Sequence, residues 1–287
     1  MTDCKSPEDM KQLVTKMREW LNSQPHLPKD VDDRILERFV HSCYFNLEKA
    51  QTAADLFFTI RGASPELLSN RDPTSPAMVK ALKIVNLAQL PISGNRRLWI
   101  WQLNDPGLDH YDYVQDAKMF FLSTDAWLLD DVTFAEADVV MMDVKDLSLK
   151  FLAKFNVSVA KRLSKYQEDA MPIRLSQVHI VNAPPFIDKL YALMKPFLKQ
   201  EVTDMIHFHP PKSDSLHKYM AKEDLPEDYG GCLPPMHEHM NAVMEIIMKH
   251  KEELANDNLW RSTDKKSKNK KNSNSEPTTS FRSLAID

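Results

Sequence analysis

The sequence predicts an α/β protein in which an all-helical N-terminal region precedes a mostly parallel β-sheet covered by helices. Three observations predict this fold class. Helix-start signals recur through the first 90 residues, and no strand-like alternation interrupts them. Four short runs with strand character follow, beginning at residue 97. Helical stretches separate these runs, and strands spaced in this way indicate βαβ crossovers, which build parallel sheets.

The first region, residues 1–90, is predicted to be a helical domain. Ser6 stands where an N-cap is expected, with Pro7 at the first helical position and Asp9 where a capping box places its acid. Asn46 can cap a later helix, which Gly62 would end in a left-handed conformation. Two further Ser-Pro starts are Ser64–Pro65 and Ser75–Pro76.

The second region, residues 91–256, is predicted to hold the sheet. Strands are expected over residues 97–103, 137–143, 177–182 and 205–209. Helices are expected over residues 113–129, 148–169, 185–199 and 237–256. Residues 257–287 are rich in Lys, Ser and Asn and include five lysines between residues 265 and 271. Because such a segment buries too little apolar surface to offset its chain entropy, we expect a disordered tail.

Composition excludes several classes of protein. A net charge of −4 provides no overall basic field, so no nucleic-acid partner is expected. Only five glycines are present, and they form neither a phosphate-binding loop nor a dinucleotide-binding turn. The three cysteines, Cys4, Cys43 and Cys232, are scattered, which predicts no disulfide framework and favours a reducing, cytoplasmic compartment. Neither a signal peptide nor a membrane span is predicted.

Candidate residues for chemistry are few. His207 and His209 project from the same side of a predicted strand, but no third metal ligand is identified by spacing, so structural histidines are favoured over a metal site. Asp143 ends a strand, where ligands of α/β proteins often bind, yet a capping role is commoner for such an aspartate. No nucleophile–base set is recognisable. The sequence therefore favours a binding protein without catalytic residues, cofactor or metal.

The predicted helix over residues 185–199 carries more apolar surface than a docked helix needs. Its large apolar side chains cover an arc of about 160°, against the roughly 100° of an ordinary buried stripe. They are Phe186, Ile187, Leu190, Tyr191, Leu193, Met194, Phe197 and Leu198. Complete burial in the core is one interpretation; the other is that part of the arc covers a cavity and part contacts another apolar surface.

Several motifs together resemble the CRAL-TRIO lipid-binding family, and within it the tocopherol-transfer-like members of the insect type. The strongest is residues 171–209, where a strand ending Val-Asn leads through a Lys-Pro-Phe helix to a strand ending His-Phe-His. Leu-Pro-Glu-Asp-Tyr-Gly-Gly follows at residues 225–231, while residues 45–50 and 71–73 match the helical part. The resemblance covers residues 6–256.

The resemblance implies that the sheet floor and its helices enclose an apolar lipid pocket, with the helix over residues 185–199 as a mobile gate. Gate and membrane contacts are expected from Phe186, Ile187, Leu190, Leu193 and Phe197. Position matching within the family gives the expected pocket lining, in which Thr124 could orient a polar ligand head. The lining residues are Phe120, Phe121, Thr124, Val140, Met142, Leu147, Leu163, Tyr166, Met171, Leu175, Val178, Leu190, Met194 and Leu198.

The chain departs from the family at the basic cluster with which several members bind phosphoinositide head groups. Arg174 keeps one position, with Lys195 and Lys199 as further candidate contacts. Elsewhere the cations are replaced, and fewer charge-assisted hydrogen bonds predict weaker phosphate binding. The replacements are His41, Cys43, Ser176, Glu201 and Met205.

The resemblance implies a monomeric cytoplasmic carrier that transiently contacts membranes and transfers a hydrophobic lipid. Tocopherol-, retinoid-, carotenoid- and phospholipid-like ligands all remain open. A phosphoinositide (phosphatidylinositol bisphosphate)-responsive membrane adaptor is the alternative function.

Overall fold

The computed structural model describes residues 6–263. Its N-terminal part consists of five helices, and the capping signals in the sequence account for several of their starts. Ser6 and Asp9 form the predicted capping box, while Asn46 and Ser75 also accept a backbone hydrogen bond at a helix start. The helices are α1 (Pro7–Ser23), α2 (Asp33–Ser42), α3 (Leu47–Gly62), α4 (Pro65–Leu68) and α5 (Pro76–Lys83).

A five-stranded sheet follows, in the spatial order β1-β2-β3-β4-β5. β1 and β2 form an antiparallel hairpin, and each later strand pairs in parallel with its predecessor. The strands are β1 (Val85–Ile92), β2 (Arg96–Leu103), β3 (Ala137–Asp143), β4 (Leu175–Val181) and β5 (Ile206–His209). The predicted fold class, a helical region followed by a mostly parallel sheet with helices, is confirmed.

Helices connect and cover the strands. α6 and α11 pack on the inner face of the sheet, which carries Trp99 and Val140, while short 3-10 turns between residues 214 and 229 cover the outer face around Met141. The segment that joins neighbouring strands β4 and β5 contains α9 and a 3-10 turn, Lys195–Phe197. The helices are α6 (Tyr113–Asp130), α7 (Phe151–Lys154), α8 (Val157–Asp169), α9 (Ile187–Met194), α10 (Gln200–Thr203), α11 (Met236–Lys249), α12 (Lys251–Ala255) and α13 (Asp257–Trp260).

A fully buried ion network joins the helical region to the sheet region. The Asp125 carboxylate on α6 accepts hydrogen bonds from Arg61 at 2.8 and 2.5 Å and another from Arg71. The Tyr166 hydroxyl accepts from Arg61 at 2.6 Å, and the Arg61 guanidinium lies 3.8 Å from the Phe57 ring centroid. Both guanidinium groups contact the one Asp125 carboxylate, which offsets part of the cost of burying them, and these contacts join the two regions in one core.

The helix predicted over residues 237–256 is two helices, α11 and α12, which are separated at His250. Gly62 is the last residue of α3, but it is not left-handed as predicted, and the cap residue Ala63 has φ of −84°.

Three further predicted boundaries require correction. β1 lies partly within the region expected to be entirely helical, and the helix predicted over residues 148–169 is two helices, separated where Asn156 caps α8. The tail predicted from residue 257 begins with the helix α13, whose Trp260 is buried. The remainder of that tail prediction, residues 264–287, lies outside the described residues, as does Cys4.

Candidate functional site

The inner face of the sheet carries the candidate floor. Val140 and Met142 of β3 point to this face, next to Val178 and Ile180 of β4 in register, and all four side chains are half-buried. The neighbouring β3 residues Val139 and Met141 point to the outer face and are fully buried. Side chains alternate between the two faces along a strand. The apolar side chains on the inner face therefore form one set, which remains partly accessible to solvent, and those on the outer face form another, which is fully buried.

Side chains from the surrounding helices rise around this floor. Of the fourteen predicted lining residues, ten are only half-buried, so part of each side chain is accessible to solvent. They are Phe120, Val140, Met142, Leu147, Leu163, Met171, Leu175, Val178, Met194 and Leu198. Leu190 is buried. The alternation of β4 continues through Ile180, which the position match omitted but the strand periodicity could have found.

Three predicted lining residues need correction. Phe121 and Tyr166 lie in the ion network, with their ring centroids 4.6 Å apart and the Arg61 guanidinium over both rings. They therefore contact the helical region instead of the floor. The Thr124 hydroxyl lies within hydrogen-bond distance of the carbonyl groups of Phe120 and Phe121 in its own helix, so its proton is not directed at a ligand.

The predicted gate is shorter than expected. The helix α9 ends at Met194, and a 3-10 turn replaces its last part, because Pro196 has no backbone N–H and disfavours continued α-helix. Leu190 faces inward and is buried, while Leu193 is 39% exposed. The Tyr191 ring packs against Phe208 of β5 with centroids 5.3 Å apart. Phe186, Ile187 and Phe197 are half-buried, so the apolar surface of the gate is divided between the interior and the exterior.

Two of the three residues predicted to contact phosphoinositides already have partners within the protein. The buried Arg174 guanidinium donates to the His41 carbonyl at 2.9 and 2.6 Å and to Glu136 at 2.8 Å, and it stacks on the Tyr44 ring. These contacts occupy the Arg174 guanidinium within the protein, and the prediction that it contacts a head group is corrected accordingly. Lys199 forms an ion pair with Asp169, and Lys195 is exposed.

Histidines form a cluster on the outer face of the sheet. His179 Nδ1 lies 2.9 Å from His209 Nε2, and His209 Nδ1 lies 2.7 Å from the Ser215 hydroxyl. The His207 ring stacks on His179 at a centroid distance of 5.2 Å. Within residues 6–263, no three or more His, Cys, Asp or Glu side chains are placed to hold a metal ion. Asp143 is likewise engaged, accepting from the Lys145 backbone and the Asn182 side chain.

Acid should destabilise the fold through His179. Burial, followed by the neighbouring His209 and His207, lowers its pKa from 6.5 to about 3. Between these pKa values the unfolded chain binds a proton at this histidine and the folded chain does not. The stabilisation is therefore fully present above about pH 6.5, and the free energy of unfolding falls as the pH drops towards 3. At about pH 5.5 the loss attributable to this group is about 1.4 kcal/mol. His179→Gln should flatten the decline in urea midpoint between about pH 7.5 and 5.5, measured by fluorescence.

The exposed His237 provides the matched control for this measurement. His237→Gln should leave the pH dependence of the urea midpoint unchanged. If His179→Gln and the original protein declined in parallel, His179 would not be the group responsible.

One cavity within residues 6–263 lies away from the sheet floor. It has a volume of about 210 Å³ and is bordered by Phe57, Phe58 and Trp260, between the helical region and the C-terminal helices. Another, of about 10 Å³, lies beside Arg38 and Arg97. None of the helices within residues 6–263 is long and apolar enough to cross a bilayer.

Comparison with family models gives two matches. Residues 97–231, which include β3 to β5, all of β2 except Arg96, and the predicted gate, match the CRAL/TRIO domain. Residues 6–78 match the model described as "Pinta-like, UBA domain", which covers α1 to α4. The N-terminal domain predicted over residues 1–90 is therefore similar to this model over most of its length.

Curated relatives cover most of the chain at modest identity. An alpha-tocopherol transfer protein-like protein of Mus musculus is 27% identical over 249 residues, covering 79% of this chain and 71% of its own. Clavesin-2 of Rattus norvegicus is 26% identical over 234 residues, covering 80% and 71%. The crystal structure of Sfh5 aligns with 87% of this chain and 100% of its own at a TM-score of 0.46 and 13% identity, too distant to bear on the site.

Proposed function

Because this chain carries a CRAL/TRIO domain and belongs to the CRAL-TRIO family, we propose that it binds one hydrophobic lipid on the sheet floor and transfers it between membranes. The observation that carries the proposal is the unsealed apolar floor of β3 and β4 beneath an amphiphilic gate. Val140 and Val178 lie side by side and half-buried, although Val139 and Met141 on the outer face are fully buried.

The driving force would be burial of apolar surface. Each 100 Å² of apolar area removed from water contributes about 2.5 kcal/mol. The half-buried floor and the ligand would both lose water on binding. A long-chain or fused-ring lipid therefore gains several kcal/mol from contacts that need no polar complementarity, which suits tocopherol-, retinoid-, carotenoid- and phospholipid-like ligands alike.

The gate would divide its apolar surface between two tasks. Leu190 is buried and would cover the bound lipid, while Leu193 is 39% exposed and would enter the membrane interface. An interface that buries the outward side chains lowers the free energy of the open state, so contact with a bilayer favours release or uptake. The protein proposed here is a monomeric cytoplasmic carrier that visits membranes, without catalytic activity.

A vesicle-transfer experiment tests both binding and gating. The purified protein is incubated with donor vesicles of cell-extracted lipids, recovered, and analysed for bound lipid by mass spectrometry; delivery to acceptor vesicles is then timed. We expect about one lipid per chain. Leu193→Asp should slow delivery at least about tenfold while leaving the bound lipid in place, because a charged side chain resists entry into the apolar interface.

Ala192, exposed on the same helix, gives a control of equal charge change. Ala192→Asp should slow delivery much less than Leu193→Asp. Recovery of protein without any lipid would refute the carrier function. Equal transfer rates for the two variants would refute the assigned role of Leu193 in the gate.

A further inference from the structure

A carboxylate lies among aromatic rings at one end of the inner face. Asp116, in the first turn of α6, accepts a hydrogen bond from the Trp101 indole N–H at 3.0 Å on one oxygen and from the Tyr111 hydroxyl at 2.7 Å on the other. Tyr113 packs against Phe151 and Phe155 with ring centroids 5.8 and 5.3 Å apart, and Tyr111 lies 5.7 Å from Phe151. The five rings with Asp116 are called the aromatic nest below.

The aromatic nest adjoins the candidate lipid floor. Trp101 pairs in register with Met142, a floor residue, and both side chains are half-buried. Leu147, another predicted lining residue, packs into the same apolar cluster as Trp101 and Phe151. Phe120 follows Asp116 by four positions on α6, so the two side chains share one helix face. The carboxylate therefore lies where the apolar floor ends.

The surroundings of this carboxylate favour one type of ligand group. Its two described hydrogen-bond donors, an indole and a phenol, are both neutral, and each carboxylate oxygen retains a second lone pair. Burial raises the pKa of Asp116 to about 6, so the group is mainly ionised at neutral pH but poorly solvated. A further donor would stabilise it, whereas a second anion nearby would repel it.

We propose that Asp116 is the head-group subsite of the lipid pocket, accepting a hydrogen bond from the alcohol, phenol or amine of a lipid and excluding lipids whose buried end is a carboxylate or phosphate. This inference rests on the proposed carrier function and specifies its substrate class. Selection arises because a site built around a half-buried, poorly solvated acceptor discriminates by the hydrogen-bond donor that a ligand presents, whereas the apolar floor accepts ligands of many shapes.

A matched pair of probes tests the proposal. All-trans-retinol and all-trans-retinoic acid share one apolar body and differ in ending as an alcohol or a carboxylate. Both are titrated into the full chain at about pH 8, and binding is followed by quenching of tryptophan fluorescence. We expect retinol to bind at least about tenfold more tightly than retinoate. Asp116→Asn removes the charge and should reduce that ratio to within about threefold, chiefly by strengthening retinoate binding.

Asp109→Asn is the control, since Asp109 is exposed and lies outside the aromatic nest. In this variant the ratio of retinol affinity to retinoate affinity should equal that of the original protein. An unchanged ratio in Asp116→Asn would overturn the inference, as would equal affinities in the original protein, which can be measured even if the variant fails to fold. If neither probe bound and no lipid were recovered from vesicles, the carrier function itself would fail; binding of both probes without preference would remove only the head-group subsite.

Discussion

Replacing Asp125 by alanine is expected to lower the free energy of unfolding by about 3–5 kcal/mol, since it leaves buried cations without their anion. Arg61 and Arg71 are both fully buried and both donate to this carboxylate. Neither guanidinium can lose its proton to escape the cost, because arginine stays charged in proteins. The shared core of the two regions would open, and urea unfolding followed by tryptophan fluorescence should show a much lower midpoint.

The same substitution at a solvent-accessible position supplies the comparison. Asp169 also pairs with two cations, Lys165 and Lys199, but both lysine side chains are more than half exposed. Asp169→Ala should therefore cost no more than about 1 kcal/mol. If both variants lost a similar free energy of unfolding, burial would not explain the importance of the Asp125 network.

Gly231→Ala should be the second strongly damaging change, at about 3 kcal/mol or more. A Cβ atom at Gly231 would lie 1.9 Å from the Leu225 carbonyl oxygen and 2.3 Å from its carbon. These are backbone atoms of a fully buried residue, and the same carbonyl accepts a hydrogen bond from the Leu233 N–H at 2.9 Å. The chain cannot move aside without losing that contact, so a large fall in melting temperature and in soluble yield is expected.

Gly107→Ala is the control that distinguishes this steric clash from ordinary backbone strain. Its φ of +84° disfavours a side chain, but a Cβ atom added there would find its nearest neighbour, an Asp109 oxygen, 3.5 Å away. Gly107→Ala should cost only about 1–2 kcal/mol. A melting temperature for Gly231→Ala equal to that for Gly107→Ala would contradict the clash at Leu225.

Four of the five strands could be predicted from sequence, because each forms a short run with strand character. β3 begins and ends where its pattern predicts, and β2 and β5 differ by one residue at their starts. β4 begins two residues before its predicted start at residue 177 and ends one residue before its predicted end at residue 182. β1 was missed because Pro91 and the polar Asn86 and Gln89 obscure its alternation. As an edge strand paired on one side only, β1 tolerates a proline that a central strand would not.

The candidate site was only partly predictable, because side-chain direction depends on tertiary contacts. Position matching placed Val140 and Val178 in the pocket lining, and the strand register puts these two residues side by side. It also placed Tyr166 there, although an arginine more than 100 positions away in sequence draws its hydroxyl into the ion network. Asp116 was missed for the same reason: its indole and phenol partners come from β2 and a preceding loop.

The connection between β4 and β5 has a mechanical consequence. These strands are immediate neighbours in the sheet, and the whole gate segment hangs between their ends. Asn182, in a left-handed conformation with φ of 54°, fixes the departure by donating to Asp143 at 2.9 Å, while Lys199 at the far end is tied to Glu168 through its backbone N–H at 3.1 Å. Because both ends of the proposed gate are fixed in this way, a swing of the gate would not change the separation of β4 and β5. Lipid loading and unloading through such a gate would therefore leave the hydrogen bonds between the two strands intact.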